Sequence, residues 1–259
     1  MELVRPIVRF GNSAGVLLPK EWLNGRAKVT LIKKAPKPEK EIFEILKEHL
    51  QNIIALAIVG SYARGEQTSK SDVDVLAITH SVNTRIKQGK YEVILISEDA
   101  LKKQLESNIL PLLPMLIEAK PLINRELLEK YEDIKLTKIN LSFHFETTKS
   151  AIKVVKNYLE IIEEDGKTTV SDSILYSLIL RLREWYIVES LIHGTNERKR
   201  DFLILVHKVC DSYKPYEAYV RSKNNEPDLR GTSIASALKL YEFLSKKIRE
   251  QEQWIRKKG

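Results

Sequence analysis

Two aspartates stand one residue apart inside an apolar run, in the stretch IVGSYARGEQTSKSDVDVLAIT at residues 58–79. Because side chains alternate along a β-strand, Asp72 and Asp74 project from the same face, about 6.6 to 6.8 Å apart along the backbone. Carboxylates this close repel one another and are costly to bury unless a cation lies between them. The pair therefore predicts a cation-binding site.

A third acid lies in the apolar run KYEVILIS at residues 90–97. If this run pairs beside the strand that holds the two aspartates, Glu92 lies on the same face as they do. Three convergent carboxylates suit Mg²⁺ or Mn²⁺. Two such ions about 3.5 to 4 Å apart can stabilise the attacking and leaving oxygens of phosphoryl transfer.

A glycine and a serine end the apolar strand that precedes the aspartates. Gly60 lets the chain approach a phosphate closely, while backbone amides and the hydroxyl of Ser61 can donate hydrogen bonds to it. A nucleoside triphosphate with a divalent metal is the ligand that this combination predicts.

These residues carry a resemblance to a known family. Gly60-Ser61, followed after ten residues by Asp72-Val73-Asp74, resembles the hG[GS]…Dh[DE]h signature of the polymerase-beta-type nucleotidyltransferase superfamily. The run is similar in particular to the GSxARGxxxxxSDxD pattern of its minimal nucleotidyltransferases. The residues that match this pattern are Gly60, Ser61, Ala63, Arg64, Gly65, Ser71, Asp72 and Asp74.

The resemblance covers residues 41–131 and implies metal-dependent transfer of a nucleoside monophosphate from an NTP, with pyrophosphate leaving. It implies that Asp72 and Asp74 are metal ligands. Glu92 would ligate metal or accept the proton of the attacking hydroxyl, at a position where family members often carry Asp. Arg64 would contact a phosphate or hold the loop in place, and both roles stay open.

The elements around this motif predict an α/β core. A helical period begins at Glu41, IIALAIVG is a buried strand, and the two acidic runs are further strands, with a helix starting after Ser97. We therefore expect a nucleotidyltransferase core of mixed sheet and helices over residues 41–131. An all-α bundle is predicted over residues 138–259, with helices at 138–165, 171–193, 196–212 and 232–258.

The first 34 residues predict a small β hairpin module that precedes the core. Strands are expected at 4–10, 16–18 and 28–32, and APKPEK at 35–40 is typical of a linker. The run GNSAGVLLPK resembles the AbrB-type swapped-hairpin domain, which implies an interleaved homodimer that is commonly DNA-binding. The basic residues it would offer are Arg5, Arg9, Lys20, Arg26 and Lys28.

In the bundle, Arg200 and His207 stand seven residues apart and so share one helix face. The spacing is similar to the Arg-x(4-6)-His element of HEPN-type domains, which include ribonucleases. Because RDFLILVHK is mostly apolar, we interpret His207 as a helix-packing residue.

Composition places few further limits on function. The chain has 259 residues, a net charge of +8 and one cysteine, so we expect no disulfide framework and no structural zinc site. Nothing near 18 uninterrupted apolar residues occurs, which predicts a soluble, cytoplasmic protein with no membrane contact. Alternatives to the enzyme are a DNA-binding regulator with an inactive or nucleotide-sensing core, and a HEPN-type ribonuclease. The acceptor hydroxyl could belong to RNA, a protein or a small molecule.

Overall fold

The computed structural model describes residues 3–32, 38–68, 71–195 and 198–258. It divides the chain into two compact units, Met1–Lys37 and Pro38–Gly259. The predicted fold class is confirmed: a hairpin sheet is followed by a mixed sheet with helices and then by a helical region. The finer division at 41–131 and 138–259 stays a prediction. No helix in the described ranges is long and apolar enough to cross a membrane.

The first unit is a single antiparallel hairpin of β1 (Ile7–Phe10) and β2 (Ser13–Val16), followed by a 3-10 turn at Lys20–Trp22. Gly15 lets the two strands close, because a Cβ there would lie 2.8 Å from the Phe10 ring. None of the side chains described within residues 3–32 is buried. The hairpin therefore has no core of its own.

The second unit contains a five-stranded sheet in the order β5-β6-β4-β3-β7. β4 and β6 run parallel, whereas β3 is antiparallel to both β4 and β7, and β5 is antiparallel to β6. The strands are β3 (Ile53–Val59), β4 (Val73–Thr79), β5 (Thr84–Gln88), β6 (Tyr91–Ser97) and β7 (Lys120–Ile123). The helices of this part are α1 (Pro38–Ile45), α2 (Gly60–Arg64), α3 (Glu98–Ser107), α4 (Leu112–Ile117) and α5 (Arg125–Glu129).

Side chains alternate along the central strands, so the sheet has two apolar faces. One face packs Val73, Val75 and their neighbours against Ile42 and Leu46, on α1 and just beyond it. The opposite face holds Leu76 and shares one continuous core with α3, α4 and the helices that follow. The side chain of Asp74 belongs to this second face, because it stands two residues before Leu76.

Over its described residues, 142–195 and 198–258, the helical region has five helices. They are α6 (Ser142–Glu164), α7 (Asp172–His193), α8 (Lys199–Cys210), α9 (Lys214–Lys223) and α10 (Ile234–Lys258). Two short strands, β8 (Thr169–Val170) and β9 (Thr232–Ser233), pair in front of α7 and α10. The Ser171–His193 prediction is accurate to one residue because Gly194, at φ 62°, ends the helix in the left-handed conformation.

Several predicted elements were wrong in position or missing. The second hairpin strand lies at Ser13–Val16 rather than 16–18, and residues 28–32 form no strand. Neither β5 nor α9 was predicted. α9 begins with Pro215 in its first turn, where the missing N–H costs nothing.

Candidate functional site

The glycine at the end of β3 makes room for an aspartate on β4. Val59 pairs with Asp74 in the antiparallel register, so the chain turns away at Gly60 directly beside that carboxylate. Gly60 has φ +67°, and a Cβ on it would lie 2.4 Å from Oδ2 of Asp74. Only a glycine allows both this backbone conformation and this approach.

Asp74 is surrounded by like charge. It pairs with Glu92 in the parallel register of β4 and β6, and the exposed Asp72 lies two residues before it, directly ahead of β4. Burial raises the pKa of Asp74, and the charges of Glu92, Asp72 and Glu118 raise it further, whereas that of Lys223 lowers it. The pairing that placed Glu92 beside Asp74 is as predicted; the catalytic roles of the three acids stay predictions.

The acids fit a divalent cation in donor chemistry. Asp74 and Glu92 offer carboxylate oxygens, the ligands that Mg²⁺ prefers, from neighbouring strands. Asp74 is half-buried beside the Gly60 turn. Within the described ranges, however, no three His, Cys, Asp or Glu side chains are close enough together to hold a metal ion. A three-carboxylate metal site is therefore not shown, and it stays a prediction.

Glu92 is partly exposed and lies next to the edge strand β5. Its side chain is 41% exposed, and Arg85 Nη1 lies 4.0 Å from its Oε1. Lys87 stands opposite it on β5. Two basic residues on the edge strand therefore face the acid that was predicted as third ligand or proton acceptor.

Arg64 is held by two carboxylates. Its Nε donates to Oε2 of Glu66 at 2.9 Å, and its Nη1 donates to Oε2 of Glu118. The N–H of Glu66 donates to the carbonyl of Ser61 at 2.9 Å, which closes the turn after α2. This arrangement fits the loop-holding role for Arg64 better than a freely extended phosphate contact.

Sequence reasoning missed Glu118. It lies just after α4, 58 residues from the glycine whose N–H donates to its Oε1 at 2.6 Å. The surrounding LIEAKPLI has no motif, and the acid is placed only by packing α4 and β7 against β3. No local pattern in the sequence could have indicated this contact.

The helical region borders the acids. The N–H of Lys199, at the start of α8, donates to Oε1 of Glu66 at 3.1 Å. Lys223 ends α9 and acts on Asp74 through its charge. α9 is fixed to α7 by a nearly buried pair, in which Arg221 Nε lies 2.7 Å from Oδ2 of Asp172.

His207 is not a packing residue, so that prediction was wrong. Both His207 and Arg200 are exposed on α8, and the histidine ring lies against Tyr213 with centroids 4.7 Å apart. The apolar side chains of this segment that are buried are Phe202 and Val206. A ribonuclease role for the pair stays a prediction.

Comparison with known proteins identifies the core. Residues 39–162 match the model of the nucleotidyltransferase domain family, which covers slightly less than half of the chain. The chain thus carries a nucleotidyltransferase domain, and the predicted enzyme class is confirmed. The comparison does not confirm the AbrB-like and HEPN-like resemblances. A search of the curated proteins finds no match.

Two solved structures are similar at low identity. A nucleotidyltransferase-like protein from Exiguobacterium sibiricum 255-15 is 15% identical, with a TM-score of 0.34, over 81% of this chain and 75% of that one. The spectinomycin adenyltransferase AAD(9) from Enterococcus faecialis, solved with ATP and spectinomycin, is 15% identical, with a TM-score of 0.39, over 82% of this chain and 98% of that one. TM-scores below 0.5 describe a loose likeness, and nothing about this chain's substrate follows from them.

Proposed function

We propose that this protein transfers a nucleoside monophosphate from an NTP to a hydroxyl acceptor in a divalent-metal-dependent reaction. The observation that supports this most directly is the placement of Asp74, whose carboxylate lies against Gly60 and beside Glu92. The fold places like charges together at this point, although burial and repulsion oppose it. Such an arrangement is typical of a site completed by a cation and a polyanionic substrate.

In the proposed reaction, Asp72, Asp74 and Glu92 would hold Mg²⁺ or Mn²⁺. A bound divalent cation would neutralise negative charge on the triphosphate. The turn at Gly60 and Ser61 would orient the phosphates. The acceptor oxygen would form a bond to the α-phosphorus while the bond to the pyrophosphate oxygen breaks. Glu92, accessible at the sheet edge, would accept the hydroxyl proton if it does not ligate metal.

The helical region is the proposed acceptor side. Lys223 brings positive charge from α9 to the border of the acids, and the backbone N–H of Lys199 holds the start of α8 at Glu66. Cations at this border would favour an acceptor or a substrate with negative charge. RNA, a protein and a small molecule all remain open as the acceptor class.

The test is to incubate the protein with each labelled NTP in turn, Mg²⁺ and a cell extract. We expect label from at least one NTP to move with RNA, protein or small molecules, and to disappear when the metal is chelated. The Asp74→Asn protein is the control for contaminating transferases. Equal labelling by that variant, or no labelling with any NTP, would defeat the proposal.

We further propose that residues 1–34 form a homodimer, and both nucleic-acid binding through the basic residues of this module and dimerisation alone stay open. The hairpin leaves apolar side chains without cover: Leu17, Leu18, Val29 and Leu31 are 62%, 41%, 66% and 53% exposed. A second hairpin could bury them. Light scattering on full-length protein and on a version lacking residues 1–34 tests this. A full-length monomer, or a shortened protein that stays dimeric, would contradict it.

A further inference from the structure

Glu118 connects two parts of the nucleotide-binding motif that lie four residues apart. Its Oε1 accepts the N–H of Gly60 at 2.6 Å, and its Oε2 accepts from Nη1 of Arg64. The Glu118 and Arg64 side chains are only 16% and 19% exposed. One carboxylate thus holds both ends of α2, the first through the backbone and the last through a charged side chain.

α2 depends on contacts with residues outside the helix. It spans only five residues, Gly60–Arg64, and a helix this short is not stable by its own hydrogen bonds. Its first residue has a positive φ, and its C-cap, Gly65, has one as well, at 70°. Glu66 adds a second contact to the guanidinium of Arg64 at 2.9 Å. The turn is therefore positioned by side chains from outside it.

The identity of the holding group matters because of its charge. An amide or a backbone carbonyl could accept the Gly60 N–H equally well, without bringing a negative charge near Asp74. A carboxylate adds to the repulsion at that acid, since Glu118 is among the charges that act on it. What a carboxylate offers in return is a second oxygen for Arg64, which links the two ends of the turn.

We propose that Glu118 is a positioning residue of the nucleotide site, which fixes the Gly60–Arg64 turn against Asp74; this rests on the proposed transferase function. Glu118 acts through the Gly60 backbone and does not contact substrate. Loss of its carboxylate would let the turn move relative to the acids. A displacement of about 1 Å in a catalytic arrangement can cost about 100-fold in rate.

The experiment compares Glu118→Ala, Glu118→Gln and the control Glu129→Gln, which removes an acid that is 51% exposed on α5. The Gln side chain keeps an acceptor for the Gly60 N–H but turns its NH₂ group toward Arg64, donor against donor. We expect kcat to fall about 100-fold in Glu118→Ala, with a smaller loss in Glu118→Gln and none in the control. KM for the acceptor should not change. A merely structural role would instead lower the unfolding temperature of both Glu118 variants without this graded loss of kcat.

Hydrogen exchange at the Gly60–Arg64 backbone amides gives a readout that needs no turnover. Exchange should be faster in both Glu118 variants than in the wild type and the control. If the wild-type protein transfers no nucleotide, the proposed function fails, while faster exchange still supports the positioning role. Unchanged exchange, unchanged kcat, or tighter NTP binding by Glu118→Ala would overturn it; tighter binding would mean that the carboxylate competes with phosphate. If Glu118→Ala does not fold, Glu118→Gln carries the same three measurements.

Discussion

Two clusters of acids in this protein differ in the charges that the fold places around them. In the β4 cluster, which is Asp74 with Glu92, Asp72 and Glu118, burial raises the pKa of Asp74, and the neighbouring carboxylates raise it further. In the helical region, burial also raises the pKa of Glu184, but His144 and Arg181 outweigh it, so the pKa lies below its ordinary value of 4.5. The fold pairs Glu184 with Arg181, whereas Lys223 does not offset the carboxylates around Asp74.

The helical cluster is a network that ties three helices together. Gln251 on α10 receives a contact from Nε2 of His144 at 3.1 Å and donates to Oε1 of Glu189 at 2.9 Å. Arg181 donates to Oε2 of Glu184 at 2.7 Å. Arg181 and Glu184 are thus paired within the chain. Such a network stabilises one packing of the helices.

The contrast between the charges around Asp74 and around Glu184 indicates which acids to assign to function. Buried negative charge that the chain's own cations do not offset is a cost to folding, so it indicates a candidate functional site. A half-buried acid that is paired with a cation of the same chain indicates a role in the stability of the fold. Loss of one carboxylate should therefore lower activity in the β4 cluster and lower the free energy of unfolding in the helical cluster.

The largest effect is expected for Asp74→Asn. We expect nucleotidyl transfer to fall by at least about 100-fold, because the variant lacks a carboxylate where the substrate's cation and phosphates must be held. The unfolding temperature in metal-free buffer should stay the same or rise, because a repelled charge is removed without emptying volume. Steady-state rates and thermal unfolding are the two measurements. An active and less stable Asn variant would show that Asp74 is a structural residue.

Gly60→Ala is expected to have the second largest effect. The added Cβ would lie 2.4 Å from Oδ2 of Asp74, so the carboxylate or the turn must shift, and transfer should fall about 10-fold or more. The positive φ adds about 1–2 kcal/mol of backbone strain.

Gly89→Ala is the matched control for that strain. Gly89 also has a positive φ, +58°, but a Cβ there meets nothing within 4 Å. Both variants should lose stability, measured by denaturant unfolding, and only Gly60→Ala should lose activity. Similar rates for the two would mean that the approach of Asp74 to the turn is unimportant.

Local patterns were enough to predict the strands that carry the acids. IIALAIVG, DVDVLAIT and KYEVILIS are buried runs bounded by turn residues, and their pairing brings Asp74 beside Glu92. β5 was not predicted because its residues are mostly exposed and polar, which is typical of an edge strand. KVTLI at residues 28–32 has the composition of a strand but has no ladder partner within the described part of the first unit. Composition alone does not make a strand.

The contacts between distant segments could not be predicted. The Glu118 carboxylate reaches Gly60 across 58 residues, and His144 meets Gln251 across 107. Both depend on how whole helices pack, and their sequences contain no signal at the spacing of a motif. His207 was assigned to the core because its segment is apolar. The helix turns Phe202 and Val206 inward instead and leaves the histidine outside.

A smaller effect is expected for Glu184→Gln. The variant should lower the free energy of unfolding by about 1 kcal/mol, because Arg181 loses a charged acceptor and keeps only a neutral one. Transfer activity should equal that of the wild type, since Glu184 makes its contacts within α6 and α7. Chemical unfolding measures the first and steady-state rates the second. A loss of activity without a loss of stability would make the helical cluster part of the site.

The smallest expected effect is the pH dependence of the stability difference between the wild type and Glu184→Gln. The pKa of Glu184 is lowered in the folded protein, so the unfolded state takes up the proton first as the pH falls. The contribution of Glu184 is therefore complete above its ordinary pKa of 4.5 and is lost as the pH falls through the folded value. Wild type and Glu184→Gln should differ by about 1 kcal/mol at pH 7 and converge below pH 4.5. Taking the difference removes the contributions of other acids with lowered pKa, such as Glu98 beside Tyr131 and Lys102. A difference that stays constant across the acidic range would mean that Glu184 acts through its shape rather than its charge, and the contrast with Asp74 would then not be electrostatic.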